Sequence, residues 1–149
     1  IKVTTVGVGA KTVKSAFGLT VTADITEDEF SPADAEAIIF PGGMPGAANL
    51  AVSPTVKNAI AFALEHNRVI GAICAAPGVV LANTGALSEK NYTCFPGFEV
   101  SEGNYTAATV ERDGNLVTGS GPAVAAEFAA VVAGTITPKA EDLIRKMYK

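Results

Sequence analysis

Residues 68–77 read Arg-Val-Ile-Gly-Ala-Ile-Cys-Ala-Ala-Pro. Val69 to Ile73 is a short apolar run with β-branched members, the pattern of a strand buried on both faces. Cys74 follows at once, then two alanines and a proline, a composition suited to a sharp turn into a helix. In an open α/β sheet such a turn lies beyond the carboxyl end of a strand, where sites form. The unpaired N–H groups of a helix start favour a thiolate at Cys74 and can hold a developing oxyanion, with Ala75 N–H as the first donor. A free cysteine is also often a small buried hydrophobe. The spacing alone leaves both readings open.

Working upstream, residues 35–40 form a second apolar run, expected to be a central strand buried on both faces. It ends in Pro41-Gly42-Gly43, where glycine lets backbone amides come close to a ligand and supply a second donor. A tight turn is the plainer alternative. Ser53-Pro54 is a helix start, and Val56, Ile60, Ala63 and Leu64 follow at helical spacing. Residues 1–8 read as a strand, and residues 11–25 as short strands joined near Gly18. Downstream, a short helix is expected to Asn83 with Gly85 as its stop. A strand is expected over 91–95, and a hairpin over 107–119 turning at Asp113-Gly114. Gly121-Pro122 opens an Ala-rich helix to about Ala133. Thr137-Pro138 opens a last one ending near Tyr148. Alternating strands and helices predict an α/β fold with a mostly parallel sheet. Without repeats or linkers, residues 1–149 read as a single domain.

The composition limits the partners. The chain has 149 residues, 48% of them apolar, and a net charge of −4. Mean hydropathy is +0.32 and the pI about 4.9. That supports one packed core rather than disorder. No basic patch suggests nucleic acid, and no apolar run is long enough for a membrane-spanning helix. Two cysteines do not make a disulfide framework, and a reducing, cytoplasmic setting is expected. One histidine with two distant cysteines makes a metal site improbable.

Four stretches resemble the ThiJ/PfpI superfamily. They are Ala37-Ile-Ile-Phe-Pro-Gly-Gly-Met-Pro-Gly-Ala-Ala-Asn-Leu50, Gly71-Ala-Ile-Cys-Ala-Ala-Pro77, Tyr92-Thr-Cys-Phe-Pro-Gly-Phe-Glu99 and Asp113-Gly-Asn-Leu-Val-Thr-Gly-Ser-Gly-Pro122. They run in family order over nearly the whole chain and look closest to the branch of the parkinsonism-associated deglycase. The resemblance implies a flavodoxin-like three-layer sandwich and a homodimer. It makes Cys74 the reactive cysteine on a nucleophile elbow, with the amides of Gly43 and Ala75 as the oxyanion hole. Gly42, Asn104 and Pro122 become candidate substrate-binding residues.

Three departures accompany it. The family carries a further strand and helix ahead of the strand that matches residues 1–8. That helix bears a glutamate bonded to the cysteine, and no acid in this chain matches it. The missing strand is expected to be part of the folded species, supplied by a separate N-terminal peptide or by a longer chain. Some members have histidine where Gly103-Asn104-Tyr105-Thr106 has Asn104, which hydrogen-bonds but does not shuttle protons. The protease-like branch has histidine where this chain has Ala75.

His66 lies at the polar end of a helix, where ordinary dipole complementation explains it better than catalysis. Cys94 reads as core, with a resolving thiol for Cys74 as the alternative. Glu99 and Glu102 read as solvated loop carboxylates rather than general acids or bases. The side chains Val124, Phe128 and Val131 read as core or a dimer face. Gly7-Val8-Gly9 lacks the spacing of a dinucleotide fingerprint. The expected function is cysteine-dependent chemistry, without cofactor, on a small-molecule carbonyl substrate of the 2-oxoaldehyde class. A redox-sensing or stress-protective protein acting through oxidation of Cys74 is the alternative. A glutaminase-like or protease-like hydrolase fits less well, because His66 precedes the strand that Cys74 follows.

Overall fold

The computed structural model describes residues 1–140 and Lys146. Its main sheet has four strands. They are β5 (Ala37–Phe40), β6 (Val69–Ile73), β9 (Val110–Asp113) and β10 (Leu116–Gly119), in the order β5-β6-β10-β9. The pairings of β5 with β6 and of β6 with β10 are parallel, and that of β9 with β10 is antiparallel. Three two-stranded pieces accompany it. β1 (Val6–Gly7) pairs in parallel with β4 (Ile25–Thr26), β2 (Thr12–Lys14) forms a hairpin with β3 (Thr20–Thr22), and β7 (Asn91–Tyr92) pairs in parallel with β8 (Asn104–Tyr105).

The period-2 alternation of β6 divides the core into two layers. Ile70 and Ala72 join Phe40, Ile60, Leu81, Leu87 and Tyr92 on one face. Val69 and Ile73 pack on the other, against Val117, Phe128 and Val132. Two helices accordingly cover the strands: α2 (Pro54–Glu65) beside β5 and β6, and α4 (Ala125–Ile136) beside β6, β9 and β10. Gly71 lets α4 lie close, since a Cβ there would come within 3.0 Å of the Phe128 ring and 2.6 Å of Ile39 Cδ1. Ile60, Ile70, Leu81 and Leu87 are among the largest fully buried side chains, each stabilising the fold by about 1.5–3 kcal/mol.

α2 starts as its sequence indicates. The Ser53 hydroxyl accepts from Val56 N–H at 3.3 Å, and Pro54 opens the first turn. It ends at His66, whose ring stacks on Phe62 at 3.9 Å and bonds the Phe62 carbonyl through Nδ1 at 3.0 Å.

Several expectations need correction. Among the described residues β5 pairs with β6 alone and is an edge strand, with Ile39 43% exposed, rather than a strand buried on both faces. The first strand is confined to Val6–Gly7, the residues that ladder with β4. A helix not anticipated, α1 (Gly46–Val52), follows the glycine turn. The helix after Cys74, α3 (Ala76–Val79), makes a single turn instead of reaching Asn83. The strand expected over 91–95 ladders only at Asn91–Tyr92. Gly121-Pro122 opens a 3-10 turn, Pro122–Val124, before α4 begins. The last helix expected from Thr137-Pro138 lies largely outside the described residues.

Candidate active site

Cys74 occupies the turn between β6 and α3 with φ +64°. A left-handed backbone costs a non-glycine residue about 1–2 kcal/mol and persists only where neighbours fix it. Two bonds do so here. Cys74 N–H donates to the Gly119 carbonyl at 2.8 Å, and the Cys74 carbonyl accepts from Phe95 N–H at 2.8 Å. The first ties the turn to the end of β10. The second ties it to the segment after β7. Cys74 is half-buried, whereas the residues that follow it, Ala75, Ala76 and Pro77, are buried.

The glycine turn after β5 lies against this point. A Cβ on Gly42 would stand 2.6 Å from Cys74 Cβ and 2.9 Å from Ala75 N. Gly43 has φ +87°, and its carbonyl accepts from Ala47 N–H at 2.8 Å, at the start of α1. Among the described residues, neither Gly43 N–H nor Ala75 N–H donates to a protein acceptor. Two amides without protein acceptors therefore lie in the two turns that meet at the half-buried Cys74, and open amide donors are what a developing oxyanion needs.

The other candidates have surroundings of their own. Cys94 is fully buried, and both cysteines are free thiols. Burial first, then the charges of Glu99 and Cys74, pushes the Cys94 thiol up to about 11. Glu99 is held in its own loop, where both carboxylate oxygens accept from Gly97 N–H at 3.0 Å; that amide keeps its carboxyl below the usual range. Glu102 is a clamp on residues 83–88, accepting from the amides of Asn83 and Gly85 and from the Ser88 hydroxyl. Asn104 opens β8 opposite Asn91 at the start of β7, its side-chain amide donating to Asn91 Oδ1 at 2.6 Å. Phe95, whose N–H meets the Cys74 carbonyl, lies beyond the other end of β7. Pro122 opens the 3-10 turn that follows Gly121. His66 closes α2 ahead of β6, and Cys74 follows the far end of that strand.

Phe95 was not singled out by its sequence position. It is 43% exposed. A Cβ on Gly121 would lie 3.3 Å from its ring, and its centroid is 6.4 Å from that of Phe98 in an edge-on arrangement. The only sequence signal was its place one residue after Cys94 in a matching motif.

Fold and site together define an α/β protein with mixed sheets and a cysteine on a strand-to-helix turn. The model of the DJ-1/PfpI family matches residues 1–134, and the chain belongs to that family. It is 35% identical over 112 residues to Protein DJ-1 homolog B of Arabidopsis thaliana, an alignment covering 74% of this chain and 26% of that protein. It is 33% identical over 144 residues to Protein dj-1beta of Drosophila melanogaster, covering 93% and 76%. Among solved structures, a cysteine-to-alanine mutant of a DJ-1 superfamily protein from Salmonella typhimurium superposes with a TM-score of 0.91 at 30% identity, covering 99% of this chain and 83% of that one. The chain thus spans about a quarter of the Arabidopsis protein and about three quarters of the fly protein.

Proposed function

We propose that the chain is a cysteine-dependent enzyme that acts on 2-oxoaldehydes without a cofactor. The carrying observation is the half-buried Cys74 beside two amide N–H groups that lack protein acceptors. A relative supports the substrate class: a glutathione-independent glyoxalase of Caenorhabditis elegans is 30% identical over 133 residues, covering 87% of this chain and 70% of that protein. In this reading Cys74 Sγ adds to the aldehyde carbon. A C–S bond forms, and the carbonyl electron pair moves to the oxygen held by Gly43 and Ala75 N–H. A base carries the proton from the aldehyde carbon to the neighbouring carbon. Water then cleaves the resulting thioester, releasing a 2-hydroxy acid and the thiolate. The family resemblance assigns that base to the glutamate of its first helix. Among the described residues no carboxylate bonds to the Cys74 sulfur.

The reading takes the working unit as a cytoplasmic homodimer containing the family's first strand, from this or a separate peptide. The edge of β5 left unpaired among the described residues supports the added strand, and the exposed hairpin side chains Val13, Phe17, Leu19 and Val21 support the dimer. Sedimentation showing a folded monomer at micromolar concentration would end the dimer proposal. The enzymatic test compares methylglyoxal loss and lactate formation in the natural chain and Cys74→Ala. A fall of about 100-fold or more is expected, and equal rates overturn the reading. The same open donors can hold a sulfinate, and a relative solved as "Toxoplasma gondii DJ-1, oxidized" (26% identity, TM-score 0.81) favours oxidation of Cys74 as a second role. Peroxide titration with mass analysis checks it. A Cys74 that stays a thiol counts against sensing.

A further inference from the structure

We infer that Gly42 is a positioning residue that sets the spacing of the two amide donors at Cys74. The inference rests on the oxyanion-holding role proposed for Gly43 and Ala75, and names what brings them together. A Cβ at position 42 would stand 2.6 Å from Cys74 Cβ, 2.6 Å from the Ile73 carbonyl oxygen and 2.9 Å from Ala75 N. These are atoms of one turn, and none is the free end of a flexible side chain. Their turn is tied down by Cys74 N–H to Gly119 and by Phe95 N–H to Cys74. The glycine turn is the more exposed partner, with Pro41, Gly43, Met44 and Pro45 all exposed and its ties running to α1, through Ala47 N–H to Gly43 and Asn49 N–H to Pro45, rather than to the Cys74 turn. A methyl group at 42 therefore moves the glycine turn outward and carries Gly43 N–H away from Ala75 N–H. Gly42 has no side chain to offer a substrate. It acts through the closeness it permits.

Gly46 provides the matched control, because a Cβ there meets nothing within 4 Å. The experiment compares the natural chain, Gly42→Ala and Gly46→Ala in two reactions of Cys74, with Cys74→Ala as blank. With p-nitrophenyl acetate, Sγ bonds to the acyl carbon and the carbonyl pair passes to the oxygen. Collapse then breaks the bond to p-nitrophenolate, whose first-turnover release is read. With iodoacetamide, Sγ displaces iodide and no oxyanion forms. Gly42→Ala is expected to slow acylation on the order of tenfold or more while alkylation keeps its natural rate. Gly46→Ala is expected to change neither. A purely structural role for Gly42 slows both reactions in proportion, and that result overturns the inference. So does unchanged acylation in Gly42→Ala, or a natural chain that alkylates but does not acylate.

Should Gly42→Ala fail to fold, the natural chain carries the test. Acetylating Cys74 is expected to shift the amide resonances of Gly43 and Ala75 together and to leave Gly46 in place. Failure of either to move overturns the inference. Neither probe is a 2-oxoaldehyde, so failure here leaves the methylglyoxal assay standing, and failure there leaves this test intact.

Discussion

The N–H of Phe95 donates to the carbonyl of Cys74 at 2.8 Å. A residue twenty-one positions later in the sequence thereby helps fix a left-handed turn. Removing the donor leaves a carbonyl unpaired, at a cost of about 1–3 kcal/mol. Phe95→Pro deletes that N–H, whereas Phe95→Ala deletes the ring and keeps it. Phe95→Pro is expected to melt roughly 2–8 °C lower than Phe95→Ala and to react more slowly with p-nitrophenyl acetate. Thermal denaturation and burst kinetics measure both. Equal melting of the two variants would show that the tie does not matter.

Cys94 and Cys74 differ in environment, and that difference makes them chemically separable. Cys94 is fully buried, and its thiol is pushed from an ordinary value of 9.0 up to about 11. Iodoacetamide on the native chain is expected to mark Cys74 alone, checked by peptide mapping. The raised value also has a stability consequence. As pH rises past about 9 the unfolded thiol loses its proton while the folded one keeps it. Stability from this group is therefore intact below about pH 9 and falls progressively toward pH 11. The fall is on the order of 2–3 kcal/mol. Cys94→Ala should flatten that decline in urea titrations across the window, although the cavity it leaves lowers stability at every pH.

Glu102 serves structure, and its substitution separates the two roles a loop carboxylate can have. Its carboxylate gathers the amides of Asn83 and Gly85 and the Ser88 hydroxyl. Glu102→Ala is expected to cost about 1–3 kcal/mol in urea unfolding and to leave Cys74 alkylation at its natural rate. A rate loss of about 100-fold or more in methylglyoxal turnover, with stability unchanged, would instead make it a base.

What could be read beforehand was what local chemistry dictates. The apolar run Val69–Ile73 made a strand, Ser53-Pro54 a capped helix start, and Cys74 a turn between strand and helix. The long-range features were hidden. An apolar run such as Ala37–Phe40 reads the same in the middle of a sheet and at its edge; among the described residues it has one pairing partner, and Ile39 is 43% exposed. Nothing between Ala76 and Asn83 announces that the helix stops at Val79. Asn83 and Gly85 give their amides to Glu102, which lies 19 and 17 residues further on. The resemblance assigned the site residues Gly43 and Ala75, but that their N–H groups lack acceptors among the described residues is a property of the folded chain. The strap from Phe95 to Cys74 is equally non-local.

Acid should loosen the first thirty residues. Asp24 accepts from Thr5 N–H and Thr5 Oγ1, each at 2.8 Å, and Glu27 accepts from Gly9 N–H at 2.7 Å. Glu29 accepts from Thr26 N–H at 2.9 Å. In each case a backbone amide is the first cause that holds the carboxyl below its ordinary value. A depressed carboxyl stabilises the fold above its unfolded value, near 4, and that contribution is lost as pH falls through the folded value. These ties are exposed, so the effect is local. Hydrogen exchange, corrected for its intrinsic pH dependence, is expected to show protection at Thr5, Gly9 and Thr26 falling below about pH 4, while Ile70 and Val117 in the main sheet keep theirs. Asp24→Ala should release Thr5 already at neutral pH and leave Gly9 protected, because Gly9 depends on Glu27. Loss of protection at all three amides in Asp24→Ala would mean that the segment opens as one unit rather than bond by bond.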